Sequence, residues 1–126
     1  MKKILIVIAD YYGDISSSLL KSAKNNLNDF SLKIIRVPGV FEIPITISKN
    51  IKKYDAFIAL GCVIKGETPH FDFISSVSTQ AIMHLSVSSK KPIGNGIITC
   101  LNMKQAKARG RKGKEAAKAV ISVLSQ

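Results

Sequence analysis

The stretch Gly61-Cys-Val-Ile-Lys-Gly-Glu-Thr-Pro-His-Phe-Asp-Phe-Ile-Ser75 decides the fold. It begins inside an apolar run, Ala56 to Ile64, that has the composition of a buried strand. Lys65, Gly66, Glu67, Thr68 and Pro69 then make a polar turn. Beyond it, Phe71, Ile74, Val77, Ala81 and Leu85 recur at helical spacing. Strand, polar turn and helix are the unit of an open α/β sheet, where ligands bind beyond the carboxyl ends of the strands. His70, one of two histidines, falls at the start of the helix. Free N–H groups and the positive end of the helix dipole suit an anion there.

The same alternation extends both ways. Strands are expected over Lys3–Ala9, Leu32–Val37, Asp55–Ile64 and Ile93–Cys100. Helices are expected over Ser16–Leu27, Phe71–Ser88, Lys104–Arg109 and Lys112–Leu124. In the last of these Ala116, Ala117, Val120, Val123 and Leu124 should face inward. Phe41–Ile51 reads two ways: Ile43, Ile45 and Ile47 alternate like a strand, while Ile43, Ile47 and Ile51 stack at helical spacing. Helix is preferred because parallel strands need a crossover. The expected architecture is α/β: a flavodoxin-like three-layer α/β/α fold, a four-stranded parallel sheet with helices on both faces, in a single domain over residues 1–126.

Composition limits the function. The 126 residues are 46% apolar, enough for a core, and no run approaches the ~18–20 apolar residues of a membrane span. Met1–Ala9 is ended too soon by Asp10 to be a signal peptide, and Cys62 and Cys100 fit no metal spacing or disulfide framework. A cytoplasmic protein with reduced, packing cysteines is the expectation. The net charge of +11 raises nucleic acid, but no aromatic residue interleaves Lys104–Lys118, so base stacking has no platform there. Neither nucleic acid nor membrane is expected as a partner.

Several signatures are missing. There is no GxxxxGK[ST], and Gly94-Asn95-Gly96 lacks the third glycine of a dinucleotide fingerprint. The end of the third strand carries Gly61-Cys62 rather than the aspartate of a receiver domain. Two histidines without an acidic ligand at i+4 give no metal site, and His84 reads as an ordinary, partly buried helix residue. What gathers at the carboxyl edge of the sheet is Tyr11 after the first strand, Phe41 and Glu42 after the second, and Ile64 to His70 after the third. Two aromatics, a carboxylate, a histidine and a helix start suit a planar polar ligand that carries an anion. A histidine there can move protons near neutral pH.

Four blocks together resemble the 6,7-dimethyl-8-ribityllumazine synthase family. They are Val37-Pro-Gly-Val-Phe-Glu-Ile-Pro44, Gly61-Cys-Val-Ile-Lys-Gly-Glu-Thr-Pro-His-Phe-Asp72, Asn95-Gly-Ile-Ile-Thr99 and Lys112-Gly-Lys-Glu-Ala-Ala117. The resemblance spans nearly the whole chain, and its first two blocks are highly specific. It implies a transferase of riboflavin biosynthesis. That enzyme condenses 5-amino-6-(D-ribitylamino)uracil with 3,4-dihydroxy-2-butanone 4-phosphate and needs no metal or redox cofactor. It implies further that Tyr11 stacks, and that Val40, Phe41 and Glu42 pack on the uracil ring and hold ribityl hydroxyls. Val63 and Ile64 line the ring through their backbone, and Glu67 and Thr68 form the phosphate-binding turn. His70 is the proton-transfer histidine, Arg109 the phosphate-binding arginine, Lys112 a ring-contacting lysine and Glu115 an acid near the histidine. Asn95 is supplied by a neighbouring subunit, because family members form five-subunit rings with sites between subunits.

The chain departs from the family pattern in places. The segment between Arg109 and Lys112 is short, and Arg111 stands where an asparagine is usual, which makes Arg111 a rival for the phosphate. Tyr11 replaces the more usual phenylalanine or tryptophan and stacks as well. The first strand begins almost at Met1, so a pentamer or a pair of pentamers is expected rather than a capsid. The alternative to an enzyme is a flavin- or lumazine-binding homologue with little catalysis.

Overall fold

The computed structural model describes residues 1–67 and 70–126. The elements are β1 (Lys3–Ala9), α1 (Gly13–Lys24), β2 (Ser31–Val37), a 3₁₀ turn (Val40–Glu42), α2 (Ile43–Lys49), β3 (Ala56–Ile64), α3 (Phe71–Ser89), β4 (Ile93–Cys100), α4 (Met103–Ala108) and α5 (Lys112–Leu124). The four strands are all parallel and lie in the order β2-β1-β3-β4. The flavodoxin-like, three-layer expectation therefore holds.

Strand composition explains the order. All nine residues of β3 are buried, and so are six of the seven in β1, as central strands covered on both faces require. Outer strands β2 and β4 keep accessible positions, and β2 buries only Val37. Residue parity sorts the core into two layers. Ile4, Ile6 and Ile8 of β1 join Ile58, Leu60 and Ile64 of β3 beneath α1 and α5. Leu5, Val7, Phe57, Ala59 and Val63 face the other way, against Ile43 and Ile47 of α2 and Ile82 of α3.

Element ends differ from expectation for local reasons. Helix α1 starts at Gly13, with Asp14 in its first turn, and stops at Lys24. Leu27 is buried all the same, carried inward by the turn through Asn25 and Asn26. Strand β3 starts one residue late because Asp55 turns aside, its carboxylate accepting from the Lys3 N–H at 2.8 Å. The segment after β2 is helical, as its crossover role requires, but opens as the 3₁₀ turn. In α5 the fully buried row ends at Val120 and Leu124 packs against the same core partly buried, but Val123 is exposed. Helix α3 buries Ser78 and Ile82, whereas Val77 is accessible, and His84 is exposed rather than partly buried.

Gly94 brings α5 against β4. A Cβ there would meet the Ala116 carbonyl oxygen and come within 2.9 Å of Val120 Cγ2. The approach fixes the helix that bears Lys112 and Glu115.

Candidate functional site

The carboxyl ends of β1, β2 and β3 open into a hollow of about 300 Å³ lined by Tyr11, Pro38, Gly39, Val40, Phe41, Glu42, Cys62, Val63 and Ile74. It joins five of the expected residues from three parts of the sequence, Tyr11, Val40, Phe41, Glu42 and Val63, together with Ile74 of α3. Tyr11 is 66% exposed and Phe41 55%, so both rings are uncovered. Tyr11 meets Tyr12 edge to face, with centroids 4.9 Å apart. Val40 is buried, which anchors the turn that displays Phe41. The Glu42 carboxylate lies over Gly39, where a Cβ would sit 3.2 Å from its Oε1. A flat ring flanked by a carboxylate fits this arrangement.

Of the turn after β3, Lys65, Gly66 and Glu67 do not line this hollow, nor does His70 beyond it. The Glu67 N–H donates to the Ile64 carbonyl at 3.3 Å, and Gly66 sits at φ +85°, as the third residue of a type II turn requires. The Ile64 side chain itself is buried in the core layer under α1 and α5, so it offers a ligand only its main chain. Glu67 is exposed, and Thr68 lies outside the described residues. His70 is exposed and precedes α3 in the left-handed region, φ 60° and ψ 38°. For a residue other than glycine this costs about 1–2 kcal/mol. The His70 carbonyl accepts from the Ile74 N–H at 2.9 Å, so the helix proper starts there. The first-turn N–H groups of Phe71, Asp72 and Phe73 precede the first such bond and point out of the helix end.

Arg109, Lys112 and Glu115 gather elsewhere. They line a second hollow, of about 750 Å³, with Ile97, Ile98, Thr99, Ala108, Arg111, Lys114 and Lys118. It runs along β4 and α5, and the two hollows share no lining residue. The Arg109 guanidinium donates to the Thr99 carbonyl at 3.1 Å and to Cys100 Sγ at 3.8 Å. Asn95 lines neither hollow; its Oδ1 accepts from the Ile97 N–H at 3.1 Å. One chain thus groups the expected residues into an aromatic-carboxylate half and a cationic half, with Asn95 apart.

Cys62 and Cys100 are free and buried, as expected for packing thiols. Burial, and then the charge and hydrogen bond of Cys100, push the Cys62 thiol up to about 12. Sequence reading missed Lys114 and Lys118. Their spacing of three and seven from Arg111 was the available signal.

A parallel sheet covered on both faces, with an aromatic-carboxylate hollow at its carboxyl edge, defines a flavodoxin-like α/β domain. A solved structure, a 3-dehydroquinate dehydratase-like protein from Bifidobacterium longum, has the same fold, with a TM-score of 0.55 at 12% identity over 100% of both chains. The family model of 6,7-dimethyl-8-ribityllumazine synthase matches residues 1–126. A 6,7-dimethyl-8-ribityllumazine synthase from Methylorubrum populi is 43% identical, over 98% of this chain and 81% of its own. One from Agrobacterium fabrum is 43% identical over 96% of this chain and 91% of its own. The chain belongs to the 6,7-dimethyl-8-ribityllumazine synthase family.

Proposed function

We propose that this chain condenses 5-amino-6-(D-ribitylamino)uracil with 3,4-dihydroxy-2-butanone 4-phosphate to give 6,7-dimethyl-8-ribityllumazine, phosphate and water in riboflavin biosynthesis. The family match over the full 126 residues carries the reading. The chemistry is imine formation, loss of phosphate, and ring closure with dehydration. These steps ask for two positioned substrates and for proton transfers.

In this reading Tyr11, Val40 and Phe41 receive the uracil ring, with the main chain of Val63 and Ile64 along its edge. Glu42 accepts from ribityl hydroxyls. His70 carries protons between the reacting nitrogen and carbonyl groups. The Glu67–Thr68 turn, the start of α3 and Arg109 hold the phosphate, while Lys112 and Glu115 complete the ring and histidine surroundings.

Both halves meet when one subunit's aromatic hollow faces the cationic hollow and Asn95 of a neighbour. The separation of the two hollows in one chain supports such a shared site. So does α3, which exposes Phe73, Val77, Met83 and Val87, an apolar surface suited to burial against other copies. The assembly proposed is a homopentamer, or a pair of pentamers, in the cytoplasm.

The test mixes purified protein with both substrates and follows lumazine fluorescence and phosphate release. Stoichiometric appearance of both, faster than the spontaneous reaction, is expected. Lumazine at the background rate would overturn the assignment.

A further inference from the structure

We propose that Arg111, Lys114 and Lys118 form a capture row for a phosphate monoester, one that draws the phosphorylated ketone toward Arg109 and sets its KM. The inference rests on the reaction proposed above and adds residues to it.

Arg111 caps α5, and Lys114 and Lys118 follow at spacings of three and four, so the three share one side of the helix. The opposite side is the one buried, through Gly113, Ala116, Ala117 and Val120. The row opens into the larger hollow, which it shares with Arg109 and Lys112. Glu115 is the single carboxylate among those five cations. The one ion pair among the described residues joins Arg36 to Asp10, far from this hollow in sequence and on other elements. Five cations facing one carboxylate repel one another, and a bound dianion relieves that repulsion.

The cations differ in how they are held. Arg109 is fixed by Thr99 and Cys100. Among the described residues the side chains of Arg111, Lys114 and Lys118 make no hydrogen bond. Arg109 is therefore placed to orient a phosphate, and the row to attract one. From Arg111 to Lys118 the helix rises about 10 Å. That is close to a Debye length at physiological ionic strength, so the charges act together on an approaching anion. A nucleic-acid backbone fits less well. The hollow has no aromatic lining residue, and Glu115 interrupts the row.

The experiment uses the assembled full-length protein and the double variant Lys114→Gln/Lys118→Gln. KM for the phosphorylated ketone should rise roughly three- to tenfold, with the change absent from kcat and from KM for the pyrimidine. The fall of kcat/KM with ionic strength should become shallower. Lys114→Arg/Lys118→Arg should behave as wild type. Single Lys118→Gln should give a smaller shift of the same kind, which keeps the test usable if the double variant is unstable. Calorimetric titration with inorganic phosphate reads the row without turnover and should weaken in the Gln variant. Unchanged KM and salt dependence in a folded Gln variant would overturn the proposal, as would a loss confined to kcat. Weaker phosphate binding with unchanged ketone KM would assign the row to free phosphate and overturn the ketone role. A wild-type protein that forms no lumazine yet binds phosphate through these lysines would sink the proposed reaction and leave the anion site standing.

Discussion

The two hollows are built on opposite principles. The smaller one displays two uncovered aromatic rings, the carboxylate of Glu42 and the apolar side chains of Val40, Val63 and Ile74, around the carboxyl ends of β1, β2 and β3. The larger one is walled by cations on α5 and on the loop between α4 and α5, against the outer strand β4. The first has shape and little charge, which suits a flat ring. The second has charge on long side chains, which suits an anion. In the proposed reaction one substrate is a pyrimidine and the other a phosphate ester, so each hollow matches one of them. Division of labour between two faces of one chain is what a ring of copies would exploit, since each face then meets its complement on the next subunit.

The largest effect should come from the edge of the aromatic half. His70→Ala should lower turnover by roughly 10²–10⁴ if the imidazole carries the proton in the limiting step. Single-turnover lumazine fluorescence reads this directly. His70→Gly should lose turnover equally, yet melt higher by the equivalent of about 1 kcal/mol, because glycine accepts φ 60° without strain. Wild-type turnover in either variant would remove His70 from the mechanism.

On the cationic side the expected change is smaller and falls on one substrate. Arg109→Ala should raise KM for the phosphorylated ketone by roughly 10- to 100-fold, the worth of a charge-assisted hydrogen bond. Arg111→Ala should raise it only a few-fold; the reverse order would transfer the orienting role to Arg111, and no effect from either would sink the phosphate assignment. Co-assembling His70→Ala with Arg109→Ala subunits tests the division itself. If each site takes one half from each neighbour, random mixing should restore up to about a quarter of wild-type activity. Mixtures no more active than the parents would place both halves within one subunit.

The layers of the fold were legible because burial on both faces leaves an unmistakable run, as in Ala56–Ile64, and because Phe41–Ile51 had to cross between parallel strands. Helix α3 was harder. Its apolar residues point to both sides, so periodicity favoured Val77 for the core where the chain buries Ser78. An exposed apolar helix face and a core face look alike in sequence. Gathering at the edge was legible for Tyr11, Phe41 and Glu42, since each directly follows a strand. The grouping of Lys114 and Lys118 with Arg109 was not, because it depends on how α5 lies against Gly94 rather than on any motif.

The thiol pair joins the two regions within one chain and offers the smallest, most specific test. Cys62 lines the aromatic hollow, and Cys100, its hydrogen-bonded neighbour, touches the Arg109 guanidinium of the cationic one. Burial is the main cause that lifts the Cys62 thiol from 9.0 to about 12, so the folded chain resists losing that proton. The unfolded chain gives it up first. Stability from this group is therefore complete below pH 9 and declines as pH rises from about 9 towards about 12, the range in which the unfolded state holds fewer protons. Denaturant midpoints taken across that range should fall, and Cys62→Ala should flatten the decline. At pH 8 Cys62 should react slowly with a maleimide until the protein is unfolded. Rapid labelling of the folded protein at Cys62 would mean that the thiol is reachable and reactive through the aromatic hollow rather than held protonated by its burial.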